Sequence, residues 1–467
     1  MMGSINFVVL WTDSLIYLLL GMVLLFTLWV RRHEHLRAPW GRVIQRPINV
    51  VAILILSTFV CLGLMDSIHF RHKKGIPSQN VNSQEIVSVL DVLLNPIATH
   101  QETSYSAPFA THLFTKTAIL KPDGSLLRGY PRLQFGGAHL GSVDRKGKDI
   151  VRLAALSLIE TLVMAAAFTG IAIIIISFKL KKPVKNTLTL ILKKEGSFPW
   201  RSFFLTLYFI IFCVWFVYNM MPFYHILGTG KVGEDVLYQT LKSIRTGLVI
   251  GTLTTLIMLP FAVMLGIMAG YFRGILDDVI QYVYTTLSSI PGVLLIAAAV
   301  LTLQVVMNRH MNVFDTMIER QDARLLALCM ILGITSWTGL CRLLRGEALK
   351  LREAEFVLAA KSLGVGNFKI LFRHLLPNVM HIILISVALD FSGLVLAEAV
   401  LSYVGVGVDP TTYSWGTMIN SARLEMARVP VVWWSLAAAF IFMFTLVLTA
   451  NIFADALRDA FDPRYHE

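Results

Sequence analysis

Nine runs of about 17 or more predominantly apolar residues constrain the fold of this chain more than any other feature of its sequence. A run of that length crosses the hydrocarbon core of a bilayer as an α-helix, because a helix satisfies its own backbone hydrogen bonds there. Hydrophobic residues make up 56% of the 467 residues and charged residues only 15%, which excludes a soluble multidomain protein and a disordered chain. The sequence therefore predicts an all-α polytopic membrane protein with about nine transmembrane helices. The runs are Ser14 to Val30, Ile48 to Met65, Leu153 to Phe178, Phe203 to Met221, Leu248 to Ala269, Val279 to Val306, Leu325 to Leu340, Val379 to Val404 and Val431 to Phe453.

The net charge of +12 is explained by the membrane topology and does not indicate a nucleic-acid site. Nineteen Lys and Arg residues lie in three segments between runs, at 31–46, 179–201 and 342–373. With nine helices and the N-terminus outside, all three segments fall on one side, and the positive-inside rule makes that side cytoplasmic. We therefore expect an outside N-terminus, a cytoplasmic C-terminus and no nucleic-acid partner.

One long polar segment, about residues 66–152, separates the second and third runs and is predicted to be external. Val87 to Leu94 and Leu113 to Leu120 are its candidate short strands or helices. A weak internal similarity relates residues 140–150 to residues 227–236, which precede the third and fifth runs. Both share Leu-Gly-hydroxyl, a polar turn, Gly, a charge and Asp. An internal repeat and chance similarity of loops that lead into membrane helices remain equally open.

The segment between the seventh and eighth runs, about residues 342–378, carries the most informative pattern. Helix formers from Glu347 to Leu363 predict a helix that Gly364 and Gly366 end. Asn367 is a candidate N-cap for a second short helix, which Pro377 would close. Four residues at helical spacing form a small, apolar face: Phe356, Ala359, Ala360 and Leu363. Spacing alone leaves two interpretations open, docking into a groove of another protein and binding to lipid headgroups.

Here the chain resembles the dipeptide/oligopeptide permease family of ABC importers. The segment is similar to the cytoplasmic coupling loop of that family, with Ala359-Ala360, Gly364 four residues later and a terminal Arg373-His374-Leu375-Leu376-Pro377-Asn378. Four further motifs match in order over roughly residues 200–467: Leu227 to Val236, Gly266 to Asp277, Glu398 to Gly416, and Leu457 to Arg464. The chain departs from the family in its three additional N-terminal runs, and in Leu358, which stands where the motif usually has Glu.

The resemblance implies a fold and a set of partners. Residues 201–467 would form the six-helix core of a type I importer permease, preceded by an N-terminal extension at 1–200. The protein would be a non-enzymatic subunit in a bacterial inner membrane that imports peptides or similar solutes. Its partners would be a second related permease, two ATP-binding subunits, an external solute-binding protein and membrane lipid. ATP and Mg²⁺ would bind to the partner subunits, so no cofactor is expected in this chain. The residues implied in ATPase coupling are Glu355, Ala359, Ala360, Gly364, His374 and Pro377.

Asp390 and Glu398 are candidates for the translocation path, because an ionisable group inside a membrane span is costly unless it faces a pore or a partner. A carboxyl group satisfied within the helix bundle is the alternative for both. No metal site is predicted, and Gly228-Thr229-Gly230-Lys231 lacks the remaining residues of a phosphate-binding loop. Two other functions remain open, an ion-coupled secondary transporter and a non-transporting membrane sensor whose external segment is the receptor.

Overall fold

The computed structural model describes residues 6–32, 34–72, 85–120, 126–180, 198–309 and 316–461. Helices make up most of these residues. They are α1 (Trp11–Arg31), α2 (Glu34–Val43), α3 (Pro47–Ser67), α4 (Val89–Leu93), α5 (Asn95–Thr99), α6 (Lys146–Leu180), α7 (Trp200–Met220), α8 (Val236–Phe272), α9 (Ile275–Ser289), α10 (Gly292–Arg309), α11 (Met317–Ser336), α12 (Thr338–Arg352), α13 (Glu355–Ser362), α14 (Asn367–Ile370), α15 (Leu376–Val404), α16 (Trp415–Glu425) and α17 (Trp434–Phe461). The strands are β1 (Asn6–Val8), β2 (His69–His72), β3 (Glu85–Ser88), β4 (Thr117–Leu120) and β5 (Leu126–Gly129).

Nine helical stretches within the described ranges have the length and apolar composition needed to cross a membrane. They are α1, α3, α6, α7, α8, α10, the stretch from α11 to α12, the stretch from α14 to α15, and α17. This confirms the predicted helical membrane fold with about nine spans, while the short strands make the described chain mostly rather than entirely helical.

The sixth span is shorter than predicted. The sequence predicts one helix from Val279 to Val306, but α9 ends at Ser289 and α10 begins at Gly292. Ile290 between them is extended, with φ −87° and ψ 132°, because the ring of Pro291 disfavours the α conformation in the preceding residue. Only α10 of this pair is a candidate span, since α9 has 15 residues.

The chain forms two compact units that interleave along the sequence. Unit 1 contains Met1–Phe7, Gly41–Arg245 and Tyr413–Thr449, and unit 2 contains Val8–Trp40, Thr246–Thr412 and Ala450–Glu467. Each unit therefore draws residues from both sides of residue 200. The division into an N-terminal extension and a permease core stays a prediction.

Unit 1 contains most of the polar segment at 66–152. Strand β2 pairs antiparallel with β3, and β4 pairs antiparallel with β5. Val87 to Leu94 contains both the end of β3 and helix α4, and a capping box between Ser88 and Asp91 starts that helix. An apolar cluster that includes Leu90, Met220 and Leu237 forms a core for this unit.

Unit 2 contains two apolar clusters. One, called the lower cluster here, includes Met258, Ala262, Leu340, Leu344 and Ala348 from α8 and α12. The other lies around α8, α10 and α11, where α1 also packs against α11. Most members of both clusters are small or aliphatic, and the lower cluster also buries the aromatic side chains of Tyr271, Tyr284 and Trp337.

Candidate functional site

The coupling segment, residues 342–378, is built from three helices and a π-helical turn. The single helix predicted from Glu347 to Leu363 is wrong, because α12 ends at Arg352 and α13 starts at Glu355. Contacts from other helices fix this break: Arg352 Nη1 donates to the Tyr271 carbonyl at 3.1 Å, and Arg273 pairs with Glu353 at 3.2 Å. Local helix propensity is weak beside such tertiary contacts.

Gly364 ends α13, as its sequence position predicts. Its φ is +76°, a left-handed conformation that favours glycine. The Gly364 N–H donates to the Lys361 carbonyl at 3.0 Å, and the Val365 N–H donates to the Ala360 carbonyl at 3.1 Å. This pair of bonds is a Schellman motif, and it turns the chain sharply into α14.

Pro377 does not close the second helix as predicted. The chain continues from α14 through a π-helical turn, Leu371–Leu375, into α15, whose first turn contains Pro377. Proline lacks the N–H that a regular helical bond needs and its ring crowds the preceding turn, which accounts for the widened π geometry. Asn378 Nδ2 donates to the His374 carbonyl at 2.6 Å within this turn, and the His374 side chain is half-buried.

The coupling segment has a buried side and an exposed side. Ala360 is 6% exposed and belongs to the lower cluster with Val357 and Ile370. Ala360 was predicted on the same apolar face as Phe356 and Ala359, but its side chain is buried, because i+3 and i+4 neighbours lie on the two edges of one stripe and only one edge faces outward. Its role in ATPase coupling stays a prediction. The exposed side, called the docking face here, consists of Glu355, Phe356, Ala359, Leu363 and Gly364.

The elements on both sides of the docking face, α12 and α14, make polar contacts with α9 and α8. Arg345 of α12 forms a two-point ion pair with Asp277 of α9, with Nε–Oδ1 at 2.5 Å and Nη2–Oδ2 at 2.8 Å. The Arg345 guanidinium holds the pKa of the Asp277 carboxyl below its ordinary value. Tyr271 at the end of α8 also donates its hydroxyl to Asn367 Oδ1 at 3.0 Å.

Gly266 and Gly270 of α8 allow a close approach to α12. A Cβ added at Gly266 would lie 2.8 Å from the Cys341 carbonyl oxygen, and one added at Gly270 would lie 2.6 Å from Ala348 Cβ. Two glycines four residues apart on one helix face permit this backbone contact. The backbones of α8 and α12 are therefore in close contact along this face.

Asp390 and Glu398 have different environments on α15. Glu398 is 2% exposed and accepts a hydrogen bond from Ser402 Oγ at 2.7 Å, so its carboxyl group is satisfied inside the chain. Asp390 is half-buried and makes no hydrogen bond or ion pair with any residue that the structure describes. The two predicted path residues are thus not equivalent.

Sequence reasoning missed a buried charge cluster in unit 1. His225 Nδ1 lies 2.7 Å from Asp235 Oδ2, and His225 Nε2 lies 3.5 Å from Glu102 Oε1. Glu102 also accepts hydrogen bonds from the backbone amides of residues 134–136 at 2.9 to 3.1 Å. Burial opposes ionisation of both groups, but the hydrogen bonds and opposite charges lower the pKa of Glu102 to about 2 and raise the pKa of His225 to about 9.

This cluster joins the polar segment to the loop before α8. Thr229 donates its N–H to the Ser106 carbonyl at 3.0 Å, and a Cβ added at Gly233 would lie 1.7 Å from the Glu102 carbonyl oxygen. The Gly228 to Lys231 stretch is thus used for packing. The similarity between residues 140–150 and 227–236 is a sequence signal that could have predicted the His225–Asp235 pair. His139 pairs with Asp149 across the same ten-residue interval as His225 with Asp235.

Metal and disulfide chemistry have no structural support in the described ranges. No group of three or more His, Cys, Asp or Glu side chains there is arranged to hold a metal ion. The four cysteines, of which Cys329 and Cys341 are buried, are free thiols.

Comparison of the sequence with known proteins identifies a family. Residues 262–467 match the family described as binding-protein-dependent transport system inner membrane component. The oligopeptide transport system permease protein of Mycobacterium tuberculosis is 34% identical over 239 residues, which cover 51% of this chain and 76% of that protein. The glutathione transport system permease protein of Pectobacterium atrosepticum is 30% identical over 242 residues, covering 51% of this chain and 73% of that protein.

A third relative is the dipeptide transport system permease protein of Lactococcus lactis subsp. cremoris, 32% identical over 243 residues. The match covers 52% of this chain and 65% of that protein, slightly less than two thirds of its length. These matches confirm the resemblance noted in the C-terminal half. The chain belongs to the family of binding-protein-dependent transport system inner membrane components.

Proposed function

We propose that this chain is the permease subunit of an ATP-driven ABC importer for peptides or peptide-like solutes. Its partners would be a second related permease, two subunits that bind ATP with Mg²⁺, and an external solute-binding protein. Family membership supports this proposal, and the relatives are named for dipeptides, oligopeptides and glutathione, which are all peptides. The chain would lie in a bacterial inner membrane, with its N-terminus outside and its C-terminus in the cytoplasm, as the basic segments predict.

The observation that carries the proposal is the docking face. Phe356 and Leu363 are 43% and 83% exposed, and the small side chain of Ala359 lies on the same exposed side of α13. Two large apolar groups on either side of a small one form a surface that a groove on a partner can bind closely. Glu355 at the start of α13 adds a negative charge at the rim, worth about 0.2 to 1 kcal/mol if it meets a basic residue.

The packing behind the docking face supports a mechanical role. Closure of two ATP-binding subunits would displace α13, and Val357 and Ala360 would transmit this displacement into the lower cluster. The Arg345–Asp277 ion pair connects α12 to α9, and the Gly270 contact connects α12 to α8. Helices fixed in this way move as rigid bodies, and such motion underlies alternation between inward-facing and outward-facing states.

Asp390 is the better candidate for the translocation path. Its carboxyl group has no partner among the described residues, whereas Glu398 holds Ser402. A half-buried carboxyl group on a membrane helix is expected to face a pore or a partner subunit. We therefore propose that Asp390 meets the solute or the second permease, and that Glu398 is structural.

The proposal is tested by transport in proteoliposomes that contain the complete complex. We expect uptake of a labelled oligopeptide that requires ATP hydrolysis, and loss of uptake on Ala359→Asp. Ala427→Asp is the matched control, since it places the same charge at an exposed alanine on the predicted outer side. Uptake driven by an ion gradient without ATP would indicate a secondary transporter, and binding without uptake would indicate a sensor.

A further inference from the structure

A polar cavity of about 230 Å³ lies in unit 2, at the end of α10, the start of α11 and the loop after α15. Asn308, Arg320, Arg324 and Asp409 are among its lining residues. This volume is large enough for several water molecules or one small organic group. All three segments lie on the predicted outer side, where the solutes of an importer arrive.

The cavity carries more positive than negative charge. Arg324 Nη1 lies 3.1 Å from Asp409 Oδ2. The other oxygen, Asp409 Oδ1, accepts hydrogen bonds from the Thr411 N–H at 3.0 Å and hydroxyl at 2.6 Å. Burial opposes ionisation of Asp409, but these hydrogen bonds and the two guanidinium groups keep its pKa below the ordinary value. One carboxylate therefore faces two guanidinium groups.

The two guanidinium groups have donors to spare. Arg320 uses Nη2 to donate to Asn308 Oδ1 at 2.9 Å, and Arg324 uses Nη1 for Asp409. Their remaining N–H groups have no acceptor among the described residues, and Arg324 Nε is buried without one. The Arg324 side chain is only 11% exposed, so its charge is largely removed from water. A bound oxyanion would supply the missing acceptors and balance the charge.

The remaining lining residues favour a peptide over a bare anion. Gln304 and Asn308 present side-chain amides, which can both donate to and accept from peptide groups. Met307 and Pro410 add apolar surface beside them. A few polar groups placed among apolar ones are typical of sites that orient an organic ligand.

We propose that this cavity binds the terminal carboxylate of a peptide at the outer side of the permease, through Arg320 and Arg324. This assignment rests on the proposed function, because it takes the solute to be a peptide. The planar guanidinium group matches a carboxylate with two parallel hydrogen bonds, which lysine cannot reproduce. The site would therefore select free peptides over peptides whose carboxyl terminus is amidated.

The test measures ligand-dependent thermal stabilisation of the purified full-length chain in detergent. The probes are N-acetyl-dialanine, whose only charge is its carboxylate, its C-terminal amide, and inorganic phosphate, at equal ionic strength. The variants are Arg324→Gln, Arg320→Gln and Arg309→Gln. Arg309 is the matched control, because it is exposed next to Asn308 on α10 but does not line the cavity. Arg320→Gln covers the case in which Arg324→Gln fails to fold, since the hydrogen bond from Arg320 to Asn308 is exposed and its loss should cost little stability.

We expect N-acetyl-dialanine, and not its amide, to raise the unfolding temperature of the wild-type chain. Arg320→Gln and Arg324→Gln should each weaken this response at least tenfold in ligand concentration, while Arg309→Gln keeps it. Equal responses to the acid and the amide, or an unchanged response in both cavity variants, would overturn the assignment. Stabilisation by phosphate but not by the peptide would overturn it in favour of a phosphate or lipid-headgroup site. Peptide binding without ATP-driven uptake by the complex would instead contradict the proposed function and leave the cavity assignment standing.

Discussion

The contact between α8 and α12 gives a sharp quantitative prediction through Gly270→Ala. The added Cβ would lie 2.6 Å from both Ala348 Cβ and the Arg345 carbonyl oxygen, where ordinary contact begins at 3.4 Å. The second of these atoms belongs to the backbone, which cannot rotate away as a side chain can. The two helices would have to separate by about 0.8 Å, and overpacking of this kind costs about 1 to 3 kcal/mol.

Gly346→Ala on α12 is the matched control, because a Cβ added there has no other atom within 4 Å. Both substitutions replace a helical glycine, so each gains the same helix propensity of about 0.5 to 1 kcal/mol. The difference between the two variants therefore isolates the steric cost. We expect Gly270→Ala to be less stable than Gly346→Ala by about 1 to 3 kcal/mol.

Unfolding of the purified variants in mixed detergent measures this difference directly. Gly346→Ala should unfold at the same denaturant concentration as the wild-type chain or a higher one. Gly270→Ala should unfold earlier and should also reduce ATP-driven uptake, since the contact transmits motion from α12 to α8. Equal stability of the two variants would refute the close contact and the mechanical path built on it.

Three further predictions follow from other parts of the structure. In transport assays, Gly364→Asn should keep peptide uptake and Gly364→Val should lose it. Asparagine tolerates a positive φ, whereas for a β-branched residue this conformation costs at least the roughly 1 to 2 kcal/mol typical of L-residues. The polar segment should resist proteolysis best between about pH 4.5 and 6.5. The raised pKa of His225 contributes stability that is lost as the pH rises towards 9. The lowered pKa of Glu102 contributes stability that is lost as the pH falls towards 2. Proteolysis that is equally fast at pH 6 and pH 9 would contradict this. Arg345→Gln should destabilise the chain by about 1 to 3 kcal/mol in detergent unfolding, whereas Lys350→Gln, which breaks an exposed pair, should cost under about 1 kcal/mol.

Hydropathy was sufficient to predict the membrane helices but not the break inside the sixth run. Ile290 is strongly apolar and a single proline barely lowers the mean hydropathy of so long a run, so the run from Val279 to Val306 looks continuous. Proline acts on the backbone of the residue before it, and this effect is independent of hydropathy. The Ile290-Pro291 dipeptide was therefore the sequence signal that could have predicted the break between α9 and α10.

Periodicity has a similar limit at the coupling segment. It correctly grouped Phe356, Ala359 and Leu363 on one face of α13, and the structure exposes all three. Ala360 has the same spacing from Phe356, yet it lies in the lower cluster. Spacing shows which residues are neighbours on a helix, but only the packing of α12 and α14 decides which edge of the stripe is buried.

The pairing of Glu102 with His225 was beyond the reach of sequence patterns for a different reason. Glu102 and His225 are separated by more than a hundred residues, and Arg352 lies 81 residues after Tyr271, whose carbonyl oxygen it contacts in unit 2. No periodicity connects residues so far apart. Their pairing depends on how the polar segment and the coupling segment fold, and that is visible only in three dimensions.

The central claim is that the docking face binds an ATP-binding subunit, and site-specific photocrosslinking in native membranes tests it most directly. A benzoylphenylalanine at Phe356 preserves an aromatic side chain at an exposed position of α13. Trp433, which is 56% exposed on the predicted outer side, is the control position. We predict that the probe at Phe356 crosslinks to a protein with ATP-binding motifs, that the yield changes with ATP, and that the probe at Trp433 does not. No crosslink to an ATP-binding protein at Phe356, or an equal yield at Trp433, would contradict the account.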